Sequence, residues 1–284
     1  MENLRKYRVF IVMIVSIGVY YLGVFAFGWP IHYVMLIYLA LILIAGIIFK
    51  ASVFSIFAMI SYSRGKKGRA EKYFRLAIKH NAKNPSTYSM FATVLLHDAN
   101  RPAEALEMAQ KALSMNPDIG AAKNAKILIS NCYWKMGEIG KAIETLEAMA
   151  AEYEYVNTSV LSSLGYLHII AGDLAKGRHF TEKALEESPE SASAWDNMGQ
   201  IYMGEGDEEK AEESFLKALS YRSDLVDAAY LLGTLYEKAG KEELARDYFL
   251  QARGCRLTPF NTVSEEQVEK KYREYLDKEF KSEF

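Results

Sequence analysis

Residues 195–218, WDNMGQIYMGEGDEEKAEESFLKA, hold two helical patterns back to back. Trp195, Met198, Gly199 and Tyr202 fall on one face of a helix, and Gly206 then supplies the residue type that most easily takes the left-handed conformation ending one. After it, Ala211, Phe215 and Ala218 recur at spacings of four and three, which is a second apolar helix face. The stretch predicts a helix, a tight turn and a second helix packed back on the first.

The same pattern recurs along the chain. Aligned on Ala70, Ala105, Ala142, Gly177, Ala211 and Ala245, the copies are separated by 35, 37, 35, 34 and 34 residues. Five residues before each anchor stand Gly65, Asn100, Gly137, Gly172, Gly206 and Gly240, which places the turn inside each helix pair. Four residues after it come Phe74, Ala109, Leu146, Thr181, Phe215 and Phe249, and seven after it Ala77, Ala112, Met149, Ala184, Ala218 and Ala252. Twelve before it are the small residues Ala58, Thr93, Ser130, Gly165, Gly199 and Gly233, where two helices must approach closely, each preceded by an apolar residue: Phe57, Ala92, Ile129, Leu164, Met198 and Leu232.

These columns resemble the tetratricopeptide repeat, in which an aromatic, Leu-Gly, Tyr, Ala, an aromatic, Ala and a closing Pro follow one another. The copy from Trp195 to Ala218 fits best, the one with Leu232-Gly233, Tyr236, Ala245, Phe249 and Ala252 follows it closely, and closing prolines stand at Pro117 and Pro189. The third copy departs, with Met149 for Ala and Glu154 for Pro, and the first closes late at Pro85. The resemblance covers about three-quarters of the 284 residues. It implies an all-α fold in which about six helix pairs over residues 51–257 stack into a right-handed solenoid, because no pair buries its apolar face alone. Such a stack needs a polar-faced cap. Val263 to Phe280 provides one within the segment 258–284, with Val268, Tyr272, Tyr275 and Leu276 at helical spacing.

In front of the repeats, residues 1–50 hold two uncharged runs, Val9 to Phe27 and Ile31 to Phe49, separated by Gly28-Trp29-Pro30. Nineteen residues of helix extend roughly 28 Å, close to the thickness of a bilayer's hydrocarbon core. The expectation is a two-span transmembrane hairpin acting as an anchor. Lys and Arg flank both runs (Arg5, Lys6 and Arg8 before, Lys50, Arg64, Lys66, Lys67 and Arg69 after) and are absent from the turn, so both ends and the repeats are expected on the cytoplasmic side. A cleaved signal peptide competes with this reading, but no small-x-small site precedes the second run. Only Gly46 interrupts helix between Ile31 and Tyr62, which predicts that the second span continues straight into the first repeat.

Charge and chemistry narrow the function. Residues 1–72 carry nine Lys or Arg against two Glu, and the rest 25 against 34. An acidic repeat region argues against nucleic acid as a partner, and the basic run Arg64 to Arg69 beside a membrane suits anionic headgroups. Cys132 and Cys255 form no CxxC, and the five histidines form no i,i+4 pair, so no metal or cofactor is expected. Gly204-Glu205-Gly206 lacks both the third glycine and the preceding strand of a phosphate loop. Ser, His and Asp show no nucleophile elbow, so the chain is not expected to be an enzyme, although a cryptic hydrolase site stays open.

A binding surface remains. In the resembling family the inner wall is built by the first helix of each pair, at its second, fifth, sixth, ninth, twelfth and thirteenth positions. Those positions imply a groove for a protein or peptide partner made by Asn124, Ile127, Asn131 and Trp134, then Ser162 and Tyr166, then Asp196, Asn197 and Gln200, then Tyr230 and Thr234. Amides suit an extended backbone, and Tyr and Trp give rigid apolar contact. The carboxylate clamp of some co-chaperones is not implied: Asn197 fits its middle place, but Ser162, Tyr166, Asp227 and Leu231 stand where its cations belong. The resemblance extends to bacterial envelope-assembly proteins with an anchored cytoplasmic array, except that this chain lacks the CxxC pairs of those ending in a rubredoxin-like knot. The reading is a membrane-anchored scaffold or adaptor. The alternative is an assembly or regulatory subunit that packs through its spans on a larger membrane enzyme or transporter.

Overall fold

The computed structural model describes residues 17–18, 20–153, 156–257 and 261–282, where the chain forms fourteen α-helices after a short π-helical turn at Leu22–Ala26. Nearly half of the expected first span, Val9 to Ser16 together with Val19, lies outside the described residues, as do Glu154 and the side chain of Leu276. Contacts divide the chain into two units, Met1–Ala82 and Lys83–Phe284. The first helix pair thus groups with the N-terminal segment, whereas the sequence alone suggested a boundary at residue 50.

In the first unit, α1 (Ile31–Ile48) precedes the pair α2 (Lys50–Ser63) and α3 (Lys67–Lys79). Among the described residues no helix is long and apolar enough to cross a membrane. The second expected span coincides with α1, several of whose side chains lie outside the described set. The predicted unbroken helix from Ile31 to Tyr62 is corrected: the chain leaves helical geometry at Phe49 (φ −100°, ψ 24°), not at Gly46. A ψ turned that far rotates the peptide plane out of the hydrogen-bond ladder, although the Phe49 carbonyl already accepts the first bond of α2, from Val53 N–H at 3.0 Å. On α2, Ala58 is fully buried against α3, while Ile56, Phe57, Met59 and Ile60 are exposed. Phe57 therefore departs from the apolar column its counterparts form, and it leans on Tyr73 with ring centroids 5.7 Å apart.

The second unit contains five pairs: α4 (Pro85–His97) with α5 (Pro102–Leu113), α6 (Ile119–Lys135) with α7 (Ile139–Glu152), α8 (Thr158–Ile170) with α9 (Leu174–Glu187), α10 (Ala192–Glu205) with α11 (Glu208–Tyr221), and α12 (Val226–Lys238) with α13 (Glu242–Gly254). The last helix, α14 (Glu265–Ser282), packs on α13. Caps mark the entries: Asn84, Asp118, Asn157 and Ser191 accept from backbone N–H groups at the starts of α4, α6, α8 and α10. All six turn residues from Gly65 to Gly240 have positive φ, from 50° to 83°. The three columns anchored on Ala70 are buried in every copy. Near the C-terminus one cluster joins α11, α12 and α13, with Phe215, Leu232 and Phe249 fully buried in it and Val263, Val268 and Tyr275 closing its end, and a second cluster joins α7 and α8.

The small column shows why size matters there. A Cβ added to Gly199 would lie 2.5 Å from the Phe215 ring, and one added to Gly233 would lie 3.0 Å from Phe249. Ser130 fits the same place by donating its Oγ–H to the carbonyl of Ala142 at 2.9 Å. In α4 the register differs from the sequence alignment: Phe91 and Ala92 occupy the buried positions, whereas Thr93 is half-buried with its hydroxyl on the Ser89 carbonyl of its own helix. The cause is one extra residue in the turn. The other five turns close with a bond across five residues, such as Asp207 N–H to the Tyr202 carbonyl, but here Arg101 N–H reaches six residues back to Leu95.

Candidate functional site

First helices lie against one another in the second unit, α6 beside α4, α10 beside α8 and α12 beside α10, and α6 reaches α8 through the Trp134–Tyr166 ring contact; together they form a wall. A cavity of about 620 Å³ opens on it. Of the residues expected to make the groove, Asn131, Trp134, Ser162, Tyr166, Asp196 and Asn197 line this cavity together. The others stand elsewhere. Asn124 is exposed two turns before Asn131, and Ile127 packs on the α7–α8 core. Gln200 spends its amide on Asp196 at 3.1 Å, Tyr230 meets the Phe249 ring edge-on at 5.3 Å, and Thr234 donates to the Tyr230 carbonyl of its own helix at 3.0 Å.

Further residues complete the lining. Ser159, Ser193 and Asp227 occupy the second position of their helices and Ser163 the sixth, so the positional rule that picked the groove also reaches them. Arg222, after α11, and Asn261, before α14, come from connections that carry no repeat signal.

The wall is polar at its floor and aromatic at its side. Trp134 and Tyr166 meet edge to face with centroids 5.6 Å apart. Asn197 donates its side-chain N–H to the Ser162 carbonyl at 2.8 Å, tying α10 to α8 from beneath the cavity. Asp227 accepts from two backbone N–H groups of the segment entering α14, Thr262 at 3.1 Å and Val263 at 3.0 Å, so both its oxygens are engaged. Asp196 is differently placed: Oδ2 accepts from Gln200, but Oδ1, like the Ser162 hydroxyl, is buried with no hydrogen-bond partner among the described residues. Burial, and next the charge of Asp227, push the Asp196 carboxyl up to about 7, against the pull of Gln200 and Arg222. Burial likewise raises the Tyr166 hydroxyl, with Asp227 and Asp196 adding to the shift and Thr262 opposing it.

Among the described residues no three His, Cys, Asp or Glu side chains converge on a metal site. Cys132 is buried and its thiol is pushed up to about 12 by that burial, which leaves it unreactive at neutral pH.

Comparison with known proteins agrees with the fold. One tetratricopeptide-repeat profile matches residues 96–154, and a second matches 192–225 and 226–252. The chain carries tetratricopeptide repeats. No protein of curated function matches it in sequence. Among solved structures it is similar to a chain of the APC/C hetero-tetramer Cut9–Hcn1, with a TM-score of 0.63 at 15% identity over 80% of this chain and 43% of that one, so it spans less than half of that relative. It is also similar to PilW, a widely conserved type IV pilus biogenesis factor (TM-score 0.59, 18% identity, 77% of this chain and 97% of that one). A third is PilF of Pseudomonas aeruginosa, with a TM-score of 0.55 at 16% identity over 80% of this chain and 97% of that one. At such identities the likeness is one of fold.

Proposed function

We propose that this protein is a non-catalytic scaffold that holds a partner's peptide segment in the cavity on its first-helix wall and keeps that partner at the cytoplasmic face of a membrane. The observation that carries the binding half is the cavity itself. Ser162 Oγ and Asp196 Oδ1 are buried polar atoms without a partner among the described residues, in a cavity that the Trp134–Tyr166 pair also lines, and an occupant's donors would satisfy them. Mechanistically the protein would act by proximity, raising the partner's effective concentration near membrane components with no bond made or broken.

The anchoring half rests on the sequence runs Val9 to Phe27 and Ile31 to Phe49 and on the basic residues flanking them. The exposed apolar side chains of α1 and α2, among them Leu43, Ile47, Ile56 and Phe57, add to it, because a surface of that kind needs lipid or protein against it. The same face suits a subunit packed on a larger membrane protein.

One experiment separates these readings. Proximity crosslinking with mass spectrometry is run on the full chain and on two variants, Trp134→Ala/Tyr166→Ala in the cavity and Ile56→Ser/Phe57→Ser on α2. Loss of partners only in the cavity variant supports the scaffold. Loss only in the α2 variant would favour the packed subunit. Alkaline extraction of the membrane fraction tests the anchor, and a chain released intact would remove it.

A further inference from the structure

We infer that the cavity is built to take an arginine side chain of a partner peptide, with the guanidinium set between the free oxygen of Asp196 and the Trp134–Tyr166 edge. This deepens the scaffold reading and rests on it.

Three observations converge. The charge facing the cavity is dominated by carboxylates, Asp196 from α10 and Asp227 from α12, against one guanidinium, Arg222, which already leans on Asp224 at 3.6 Å. Asp227 has both oxygens committed to backbone N–H groups, so Asp196 alone offers a vacant charged acceptor. Asp196 is also only 8% exposed, and among the described residues no basic side chain forms an ion pair with it, so only the charge of Arg222 and the Gln200 hydrogen bond offset its burial. A cation brought in by a ligand compensates it, whereas a ligand carboxylate entering the same space would meet two like charges.

The choice of arginine over lysine comes from shape. Guanidinium is flat, carries five N–H donors in a fixed fork and stacks on aromatic faces, and it is weakly hydrated. The vacant acceptors, Asp196 Oδ1 and Ser162 Oγ, stand on neighbouring helices beside an indole and a phenol ring. A fork can reach two acceptors while its plane rests on a ring; an ammonium is a point charge and meets fewer of these demands. Asn197, tied to the Ser162 carbonyl, holds α8 and α10 together where Ser162 and Asp196 line the same cavity.

The test selects peptides from a displayed random library on the full-length protein in detergent and in parallel on Asp196→Asn. The expected result is arginine enriched at one position with the wild type, and enrichment lost with the variant. A selected peptide resynthesised with citrulline, the neutral isostere of arginine, should bind roughly 10- to 100-fold more weakly to wild type and show little difference on Asp196→Asn. Acidifying from pH 8 to pH 6 should weaken the arginine peptide on wild type, because protonation removes the Asp196 charge. Tyr166 stays neutral over that range, since burial raises its hydroxyl further, and Arg222 and Asp227 are the other charged groups acting on Asp196. His97, also on the cavity wall, is held below the usual imidazole range by burial, against the pull of Asp98, and any charge it gains would repel a cation too, so the pH response is read as the difference between wild type and variant. Thermal melting of Asp196→Asn at pH 8 controls for folding, since the substitution removes a buried charge. Enrichment of acidic or purely apolar peptides, or equal binding of arginine and citrulline, would overturn the arginine site and leave peptide binding standing. Recovery of no peptide at all would instead overturn the scaffold reading beneath it.

Discussion

Single residues set both the packing and the chemistry of this chain. Gly199 sits where α10 crosses α11, and the Phe215 ring, fully buried, has nowhere to move from a new methyl group 2.5 Å away. Gly199→Ala should cost about 1–3 kcal/mol in urea unfolding, the range for overpacking a closed core. Gly140→Ala, a helical position whose added Cβ meets nothing within 4 Å, should cost nothing. Asp196 works in the opposite direction. Its folded-state carboxyl titrates at about 7 against 3.8 when unperturbed, so the protonated form is the one the fold prefers. The stability this gives is complete below about pH 4 and is lost as pH rises through about 7. Asp196→Asn should therefore exceed wild type by on the order of 2–4 kcal/mol at pH 8, with the difference shrinking steadily below pH 7 and towards zero only below about pH 4. Melting both proteins across that range checks it, and a gap independent of pH would show that the carboxylate is ionised at no cost. The glycine was legible in the sequence because its reason is local, one helix pair deep. The state of Asp196 was not, because it depends first on burial in the stack, then on Asp227 of the next pair and on Arg222 in the connection after α11.

Helices and turns carry the repeat. The six left-handed turn residues could be read directly, since the backbone geometry that ends a helix admits few side chains. The slip in α4 could not. Aligning on Ala105 makes Thr93 the small residue, and only the bond from Arg101 N–H to the Leu95 carbonyl reveals the inserted residue that hands that place to Ala92. The break at Phe49 was hidden for a different reason, as nothing in residue type sets Phe49 apart from its apolar neighbours. The entry to α14 is another junction the repeat pattern does not describe, and a single side chain holds it. Asp227→Ala would leave the N–H groups of Thr262 and Val263 without acceptors, at a cost of about 1–3 kcal/mol. Hydrogen exchange should show faster turnover at those two amides and in the first turn of α14 while α8 and α9 keep their protection. Acceleration spread evenly over all pairs would mean that the junction is no local clasp.

For the molecule as a whole, the stacking of helix pairs turns a weak local motif into a stable core and a binding wall. Each pair in the second unit leaves one apolar face for its neighbour, so stability is a sum of pair terms and interfaces and the ends matter most. At the C-terminal end, α14 covers Phe249 with Tyr275, ring centroids 5.4 Å apart, and buries Val263 and Val268 beside it. Its ion pair from Lys271 to Glu237, at 2.6 Å, is partly exposed and adds little. A chain ended after Cys255 loses the burial of those three apolar side chains and should destabilise α12 and α13 by on the order of 2–5 kcal/mol, net of the chain entropy recovered. Because coupling runs through neighbours, the loss should fade inwards: exchange protection falls steeply in α12–α13, moderately in α10–α11 and hardly in α6–α7. The uncovered Phe249 face should also raise self-association, visible by analytical ultracentrifugation, and Phe249→Ser in the shortened chain should reverse that association at the expense of further stability. The cavity is part of the same arithmetic, since the removed segment contributes Asn261 and the backbone N–H groups that engage Asp227. With those gone, Asp227 becomes a second vacant carboxylate beside Asp196, and the truncated protein should bind a cationic peptide with altered affinity even where α6 and α8 remain fully folded. Unchanged peptide affinity together with uniform loss of protection would show instead that the pairs melt as one block and that α14 plays no part in shaping the wall.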